Sequence, residues 1–244
     1  MYLPSPALHF AAQSHATSVL LYVQSLATSK RELATLKALA NAPDSEKLTP
    51  LACACMNAAP PSTPASSLSS TVSLLLSFGA DPNSTATSGA TPLHHACGSG
   101  ALSFLDQIPL TPALVNSLSD AGTPLHFAAG SVHENASAII EKLAKAGADP
   151  NILDKRSLPP LILSVAGCRD ENSSSLIVAG GDVGHILAGG ITVAHIAADN
   201  GLVATLAALA ASEGGKSLFA IRNDVGELPI ELAAENEYVQ ERRE

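Results

Sequence analysis

Short stripes of apolar residues recur along the chain, and several of them end at a glycine. In the segments SLLLSFGADPN and IIEKLAKAGADPN, apolar residues follow the spacing of one helix face, and the stripes stop at Gly79 and Gly147. Glycine readily adopts the left-handed conformation that ends a helix, and the proline three residues later cannot continue one. The pattern therefore predicts two helices that end at these glycines, each followed by a polar, turn-prone connection.

A second recurring phrase predicts where helices begin. TPLHHAC starts at Thr91 and TPLHFAA at Thr123, and TPLACAC at Thr49 and ALHFAA at Ala7 are variants of the same phrase. Threonine can cap the first free N–H groups of a helix, and proline suits the first helical position because its missing N–H costs nothing there. Each phrase therefore predicts the first turn of a helix.

The separation between the two phrases is constant, so the chain is an array of repeats. Gly79 precedes Leu93 by 14 residues, and Gly147 precedes Leu161 by 14 residues. The period of about 33 residues and the T-P-L-H-x-A phrase resemble those of ankyrin repeats. The resemblance covers nearly the whole chain. It implies an all-α fold, an ankyrin-repeat solenoid of stacked helix-turn-helix units with β-hairpin-like connections.

Residues 1–244 are assigned to a single ankyrin-repeat domain of about seven repeats, several of them degenerate. The predicted repeats are 5–47, 48–89, 90–121, 122–157, 158–190, 191–226 and 227–244, the last one incomplete. The Pro/Ser-rich segment 58–70 is predicted to be an inserted loop between two helices. The extra length within residues 13–47 is not assigned to an element. Because the last repeat stops after its first helix, we expect the native chain to continue beyond Glu244.

Composition and charge narrow the classes of partner. The chain has a formal net charge of −9 with 13 lysines and arginines, which argues against a nucleic-acid surface. The first residues lack the basic and apolar regions of a secretory signal, and the longest apolar-rich run, 202–211, is too short to cross a bilayer. The four cysteines form no C-x-x-C pair. We therefore expect a cytoplasmic protein, with the nucleus as a second compartment, that has no membrane partner and is monomeric alone.

The histidines invite a search for chemistry, but most of them belong to the repeat phrase. Equivalent positions of stacked repeats lie too far apart to converge on one metal ion, so these residues are interpreted as structural. The structural set comprises His9, Thr91, His94, Thr123, His126, His195, Gly79, Gly147 and Gly180. His95 lies one position further on, where other repeats have apolar residues. It is interpreted as a half-buried histidine satisfied by a hydrogen bond, with a pH switch or a ligand site as the alternative.

The glycine-rich stretch 177–192 raises the question of a phosphate-binding loop. Shifted back by 33 residues, Gly180 aligns with Gly147 and Asp182 with Asp149, so the stretch is interpreted as a degraded copy of GADPN. A phosphate loop follows a strand and opens a helix, whereas these glycines follow a predicted helix and lead into a hairpin. Hydrolase and metalloprotease motifs are absent from the sequence. We therefore expect no enzyme activity, no metal and no cofactor.

The resemblance to ankyrin repeats implies a non-catalytic protein-binding module, a scaffold or adaptor that holds its partner on the concave face. This face consists of the first helices of the repeats and the hairpin tips. Its predicted contact residues are Met56, Asn57, Ser99, Ser131, Asp199, Asn200, Asp120, Lys155, Arg156, Asp224, Glu235 and Asn236. The expected partner is another protein with a basic or mixed-charge segment that docks toward the C-terminal half. The alternatives are an assembly chaperone of the gankyrin type, or the regulatory ankyrin half of a larger protein or enzyme.

Overall fold

Short helices in two parallel rows make up nearly all of the regular structure. The protein is represented by a computed structural model that describes residues 5–29, 32–57 and 65–234. The helices are α1 Ser5–Gln13, α2 Thr17–Ser29, α3 Leu33–Ala40, α4 Pro50–Met56, α5 Ala65–Ser77, α6 Pro92–Gly98, α7 Leu102–Leu105, α8 Pro112–Val115, α9 Pro124–Gly130, α10 Ala136–Lys145, α11 Pro160–Ala166, α12 Asp170–Val178, α13 Val193–Asp199, α14 Val203–Ala211 and α15 Gly215–Leu218. Residues 229–234 are also helical. The strands are β1 Ile186–Leu187 and β2 Ile191–Thr192.

The two rows arise because each repeat contributes a first and a second helix. The first helices α1, α4, α6, α9, α11 and α13 each pack against the next, and so do the second helices α2, α5, α7, α10, α12 and α14. A seven-residue helix such as α6 is too short to be stable alone, so contacts with neighbouring repeats must stabilise it. The predicted all-α stack of helix-turn-helix units is confirmed.

Small side chains line the contacts within the first-helix row. The phrase leucines are fully buried, and so are the alanines and cysteines that follow them, Ala54, Cys55, Ala96 and Cys97. Because these side chains are small, adjacent helix backbones can approach closely while still excluding water. This packing explains how a chain with almost no large aromatic residues forms a continuous core.

The phrase histidine connects each helix start to the following connection. In α6, the Thr91 backbone N–H donates to His94 Nδ1 at 3.0 Å, and His94 Nε2 donates to the Ser117 carbonyl at 3.1 Å. One imidazole thus caps its own helix and binds the next segment of backbone. Two other pairs make the same capping contacts, Thr123 with His126 and Thr192 with His195.

The connections between repeats, here called fingers, span residues 41–49, 78–91, 116–123, 146–159, 179–192 and 219–228. The finger 179–192 contains an antiparallel ladder in which Ile186 pairs with Thr192 and Leu187 with Ile191. Tips of neighbouring fingers are hydrogen bonded to each other. The backbone N–H of Asp120 donates to Ser88 O at 2.8 Å, and that of Asp224 donates to Gly189 O at 2.9 Å. The fingers therefore form a connected edge.

Asparagine side chains add a second link between successive fingers. Asn41 donates from Nδ2 to Gly79 O at 2.8 Å and accepts the Asp81 N–H at 2.7 Å. Asn116 and Asn151 make the equivalent contacts with the fingers that follow them. Within the described residues, Asn83 bonds only to Asp81 of its own finger. The series is therefore interrupted at the third repeat, and again in the finger 179–192, where Gly184 takes the position of Asn151.

Three features differ from the sequence-based assignment or were missed by it. The predicted inserted loop 58–70 is wrong in its second half, because α5 begins at Ala65; residues 58–64 lie outside the described part. Leu68, Val72 and Leu75 share one face of α5 and are buried, and this packing outweighs the low helix propensity of the surrounding serines. The unassigned length in the first repeat contains α3. In the third repeat, the second helix is divided into α7 and α8, with Pro109 between them.

Candidate functional site

The concave face is formed by the exposed sides of the first helices together with the fingers. One position of the repeat, the one that follows the phrase histidine, is accessible in most of the described repeats, although its occupant in the second repeat, Cys53, is buried. The occupants Phe10, His95, Phe127, Leu163 and Ile196 are exposed or half-buried, with Phe10 68% exposed. The face therefore presents a mostly apolar row in which His95 is the polar exception.

Several predicted contact residues are exposed on this face. Met56 is 46% exposed, and Asn57, Asp199 and Asn200 are exposed as well. Some of their polar atoms already have partners: Asn57 Nδ2 donates to Gln13 O at 3.3 Å, and Asn200 Oδ1 accepts the Cys168 thiol at 3.3 Å. These side chains are accessible to a partner but are held in position by their neighbours.

Two predicted contact residues are not on the surface. Ser99 and Ser131 are 8% and 6% exposed. The Ser99 hydroxyl donates to Cys55 O at 2.6 Å, and the Ser131 hydroxyl donates to Gly98 O at 2.8 Å. Their assignment as partner-binding residues is therefore corrected: each hydroxyl joins its helix end to the preceding first helix.

Charged side chains at the finger tips are partly paired with one another. Asp120 and Lys155, on neighbouring fingers, form an ion pair at 2.5 Å. Arg156 binds the buried carboxylate of Asp154 at 2.9 Å. Asp224 is exposed at the tip of the finger 219–228. The last two predicted contact residues, Glu235 and Asn236, lie outside the described residues.

A cleft of about 400 Å³ opens on the concave face between α4, α6 and α9. Its lining residues are Met56, Asn57, His95, Gly98, Ser99, Phe127 and His133. The cleft exists partly because Gly98 has no side chain, since a Cβ there would lie 3.4 Å from Phe127 Cδ1. Phe127 and His133 were not predicted as site residues; the only sequence signal is that Phe127 occupies the same repeat position as His95.

His95 within this cleft has an unusual environment. Its Nε2 is buried and has no hydrogen-bond partner. The expectation that a hydrogen bond satisfies this histidine is therefore wrong for Nε2. Burial lowers the pKa of His95 below its ordinary value, because a charged imidazole would lose hydration there. The ring lies edge-on to Phe127 with centroids 6.4 Å apart.

The remaining residues with potential chemistry have structural surroundings. Burial lowers the pKa of His94 to about 4 and raises that of the Cys53 thiol to about 11. Burial also raises the pKa of Cys55 and Cys97, so these thiols are poor nucleophiles. All four cysteines are free. Among the described residues, no group of three or more potential ligands could hold a metal ion.

The glycine-rich stretch has the geometry of a finger. Gly180 follows α12 with a φ of +91°, and Asn151 Oδ1 accepts the Asp182 N–H at 2.7 Å. Asp149 makes the same contact with Asn116 in the preceding repeat. The stretch follows a helix and leads into the β1–β2 hairpin, which is the opposite order from a phosphate-binding loop.

Comparisons with known proteins agree with this architecture. Residues 64–154 match the family described as Ankyrin repeats (3 copies). Over 97% of this chain and 97% of the other, the structure resembles the crystal structure of the ankyrin repeat domain of Bcl-3, described as a unique member of the IkappaB protein family. The TM-score is 0.62 and the sequence identity 22%, so the similarity concerns the fold. Comparison with curated protein sequences gave no match.

The repeat phrases and the two helix rows, together with the family match over residues 64–154, show that this chain has an ankyrin-repeat fold. Ankyrin repeats point to a protein–protein interaction module. In the described ranges, no helix has the length and apolar character needed to cross a membrane.

Proposed function

We propose that this protein is a non-catalytic scaffold or adaptor that holds a segment of another protein along its concave face. The observation that carries the proposal is the row of exposed and half-buried side chains at Phe10, His95, Phe127, Leu163 and Ile196. Accessible apolar side chains that recur at one position of several repeats are typical of a surface that is covered by a partner. The cleft beside His95 supplies a pocket within that row.

The charge distribution favours a partner segment with positive charge at one end. Toward the C-terminal end, Asp199 and Asp224 are exposed. We infer that a basic stretch of the partner docks near these two carboxylates, where attraction between opposite charges accelerates association more than it strengthens the final complex.

Charge reversal tests this proposal. The partner is first isolated by affinity capture with the wild-type chain and identified by mass spectrometry. The double variant Asp199→Lys, Asp224→Lys should then associate more slowly, with a weaker dependence on salt concentration. Glu141→Lys is a matched control, because Glu141 is exposed on α10 in the second-helix row. Equal association rates for the double variant and the wild type would refute the docking site.

The identity of the captured protein separates the two alternative roles. Proteasomal ATPase subunits would indicate an assembly chaperone of the gankyrin type. A catalytic domain encoded beyond Glu244 in the same reading frame would indicate the regulatory half of a larger enzyme. We place the protein in the cytoplasm or nucleus as a monomer, and the four free cysteines support a reducing compartment.

A further inference from the structure

We propose that the cleft between α4, α6 and α9 binds a carboxylate side chain, aspartate or glutamate, from the partner protein, and that His95 Nε2 donates the hydrogen bond that anchors it. This inference rests on the proposed function, because it assigns a specific contact within the same concave face. The partner would then carry an acidic anchor for the middle of the face, in addition to the basic stretch that docks near Asp199 and Asp224.

The first argument is the unsatisfied nitrogen. A buried polar atom without a hydrogen-bond partner is unfavourable in a folded protein and is uncommon for that reason. The equivalent residues Phe127, Leu163 and Ile196 show that packing at this position does not require an imidazole. His95 therefore has a hydrogen-bonding group that the isolated protein does not use.

The second argument is the chemistry of the cleft lining. Asn57 Nδ2 donates to Gln13 O, and the Ser99 hydroxyl donates to Cys55 O, so these two donors already have acceptors. The other lining side chains with polar atoms are the imidazoles of His95 and His133, and the lining contains no carboxylate, lysine or arginine. In the tautomer that carries its proton on Nε2, the His95 imidazole binds a carboxylate through a charge-assisted hydrogen bond, and this tautomer is the one that the inference assigns to the complex.

The third argument is access. His95 Nε2 is itself buried, so the ring has to turn toward the cleft before a ligand can reach it. The absence of a side chain at Gly98 leaves space beside the edge of Phe127 on that side. Met56 forms part of the wall, and its flexible thioether can adjust to the shape of an inserted side chain. A volume of about 400 Å³ is ample for the end of one aspartate or glutamate.

A peptide selection tests the inference. A random peptide library displayed on phage is selected against the wild-type chain, and the enriched peptides are synthesised with each aspartate or glutamate unchanged or replaced by its amide. We expect one acidic residue in these peptides whose replacement by the amide weakens binding about tenfold, the effect of losing a charge-assisted hydrogen bond. In the His95→Leu variant, the acidic and amide peptides should bind equally.

Two controls make the result specific. Leucine is the residue that Leu163 supplies at the same repeat position, so His95→Leu should remain folded, which thermal unfolding verifies. His185→Leu changes a histidine in the finger 179–192, outside the cleft lining, and should retain the tenfold preference. As a direct readout, the Nε2 resonance of His95 should shift on adding the acidic peptide and stay unchanged with its amide.

The outcomes separate this inference from the proposed function. One outcome would overturn the anchor and leave the docking face intact: the peptides bind His95→Leu as tightly as the wild type, but bind the double variant Asp199→Lys, Asp224→Lys more weakly. Peptides indifferent to substitutions at all three positions, or a selection that enriches no peptide, would overturn both. Enriched peptides without an essential acidic residue would also overturn the anchor.

Discussion

Mild acid should destabilise this protein through its buried imidazoles, and through that of His94 above all. His94 is fully buried, its Nδ1 accepts the Thr91 N–H at 3.0 Å, and its Nε2 donates to Ser117 O at 3.1 Å. A proton added to Nδ1 would remove the bond from Thr91 and place a charge where water cannot reach it. Burial accordingly lowers the pKa of His94 from the ordinary value of 6.5 to about 4.

The size of the effect follows from this difference in pKa. The unfolded chain takes up the His94 proton near pH 6.5, and the folded chain does so only near pH 4. Between these values the unfolded state binds more protons, so this contribution to stability is complete above pH 6.5 and is lost as the pH falls toward 4. At ~1.4 kcal/mol per pH unit, the loss is about 3 kcal/mol. Burial also lowers the pKa of His126, which adds a loss of the same sign.

Urea unfolding at a series of pH values measures this contribution. From pH 7 to pH 4, the free energy of unfolding of the wild type should fall by about 3 kcal/mol more than that of His94→Gln, which has no titrating ring. His133 provides a control because it is exposed: His133→Gln, made in both backgrounds, should leave the difference between wild type and His94→Gln unchanged. Parallel profiles for wild type and His94→Gln would refute the reasoning, and so would a His94 ring resonance that titrates near pH 6.5.

Two carboxylates also affect acid stability, but at lower pH. Burial favours the neutral form of Asp154 and Asp170, yet hydrogen bonds from backbone N–H groups outweigh it and lower the pKa of both below 3.8. Their contribution is present at higher pH and is lost as the pH falls below that value. Because wild type and His94→Gln share both carboxylates, the difference between their profiles isolates the imidazole.

Three substitutions test other contacts of the fold. Asp170 accepts the Ala204 and Thr205 N–H groups at 2.9 and 2.7 Å and thereby caps α14 of the next repeat. Asp170→Ala should therefore lower the free energy of unfolding in urea by ~1–2 kcal/mol. An unchanged midpoint of the urea transition would contradict this. Thr71 Oγ1 is buried without a hydrogen-bond partner, so Thr71→Val should leave the free energy of unfolding unchanged or raise it by up to ~1 kcal/mol. A clear fall in the melting temperature measured by calorimetry would show that the hydroxyl stabilises the fold. Gly122→Ala would place a Cβ 2.5 Å from His126 Cγ, whereas the surroundings of Gly226, which has a similar φ of +98°, are open. We expect Gly226→Ala to cost ~1 kcal/mol from backbone strain alone, and Gly122→Ala to be far more destabilising. Equal melting temperatures for the two variants would exclude the steric argument.

Local sequence signals were sufficient for helix ends that depend on backbone chemistry. Gly79 and Gly147 have φ values of +87° and +88°, the left-handed geometry that their phrase predicts. The T-P-L-H starts are equally local, because Thr91 and His94 lie within one helical turn. Residues 65–70 were misassigned because their serines favour a loop, and only packing of the buried Leu68 shows that they are helical.

The site was harder to predict because its polar atoms interact between repeats. Ser99 and Ser131 are small polar residues at helix ends, as expected for a contact surface. Whether their hydroxyls face outward depends on a carbonyl of the preceding first helix, more than 30 positions away in sequence. The missing partner of His95 Nε2 depends in the same way on neighbouring repeats. No periodicity in the sequence encodes these distances.

The division of the second helix in the third repeat has a mechanical consequence. At this repeat, α7 and α8 replace one continuous helix, and Asn83 does not reach the next finger with its side chain. Two short helices joined at a proline resist bending less than one continuous helix does, so we expect the elastic deformation of this solenoid to concentrate at its third repeat. The first helix of that repeat is α6, which carries His95 and forms one side of the cleft. Bending would therefore widen or narrow the cleft, and a partner that prefers one width would set the curvature of the whole stack.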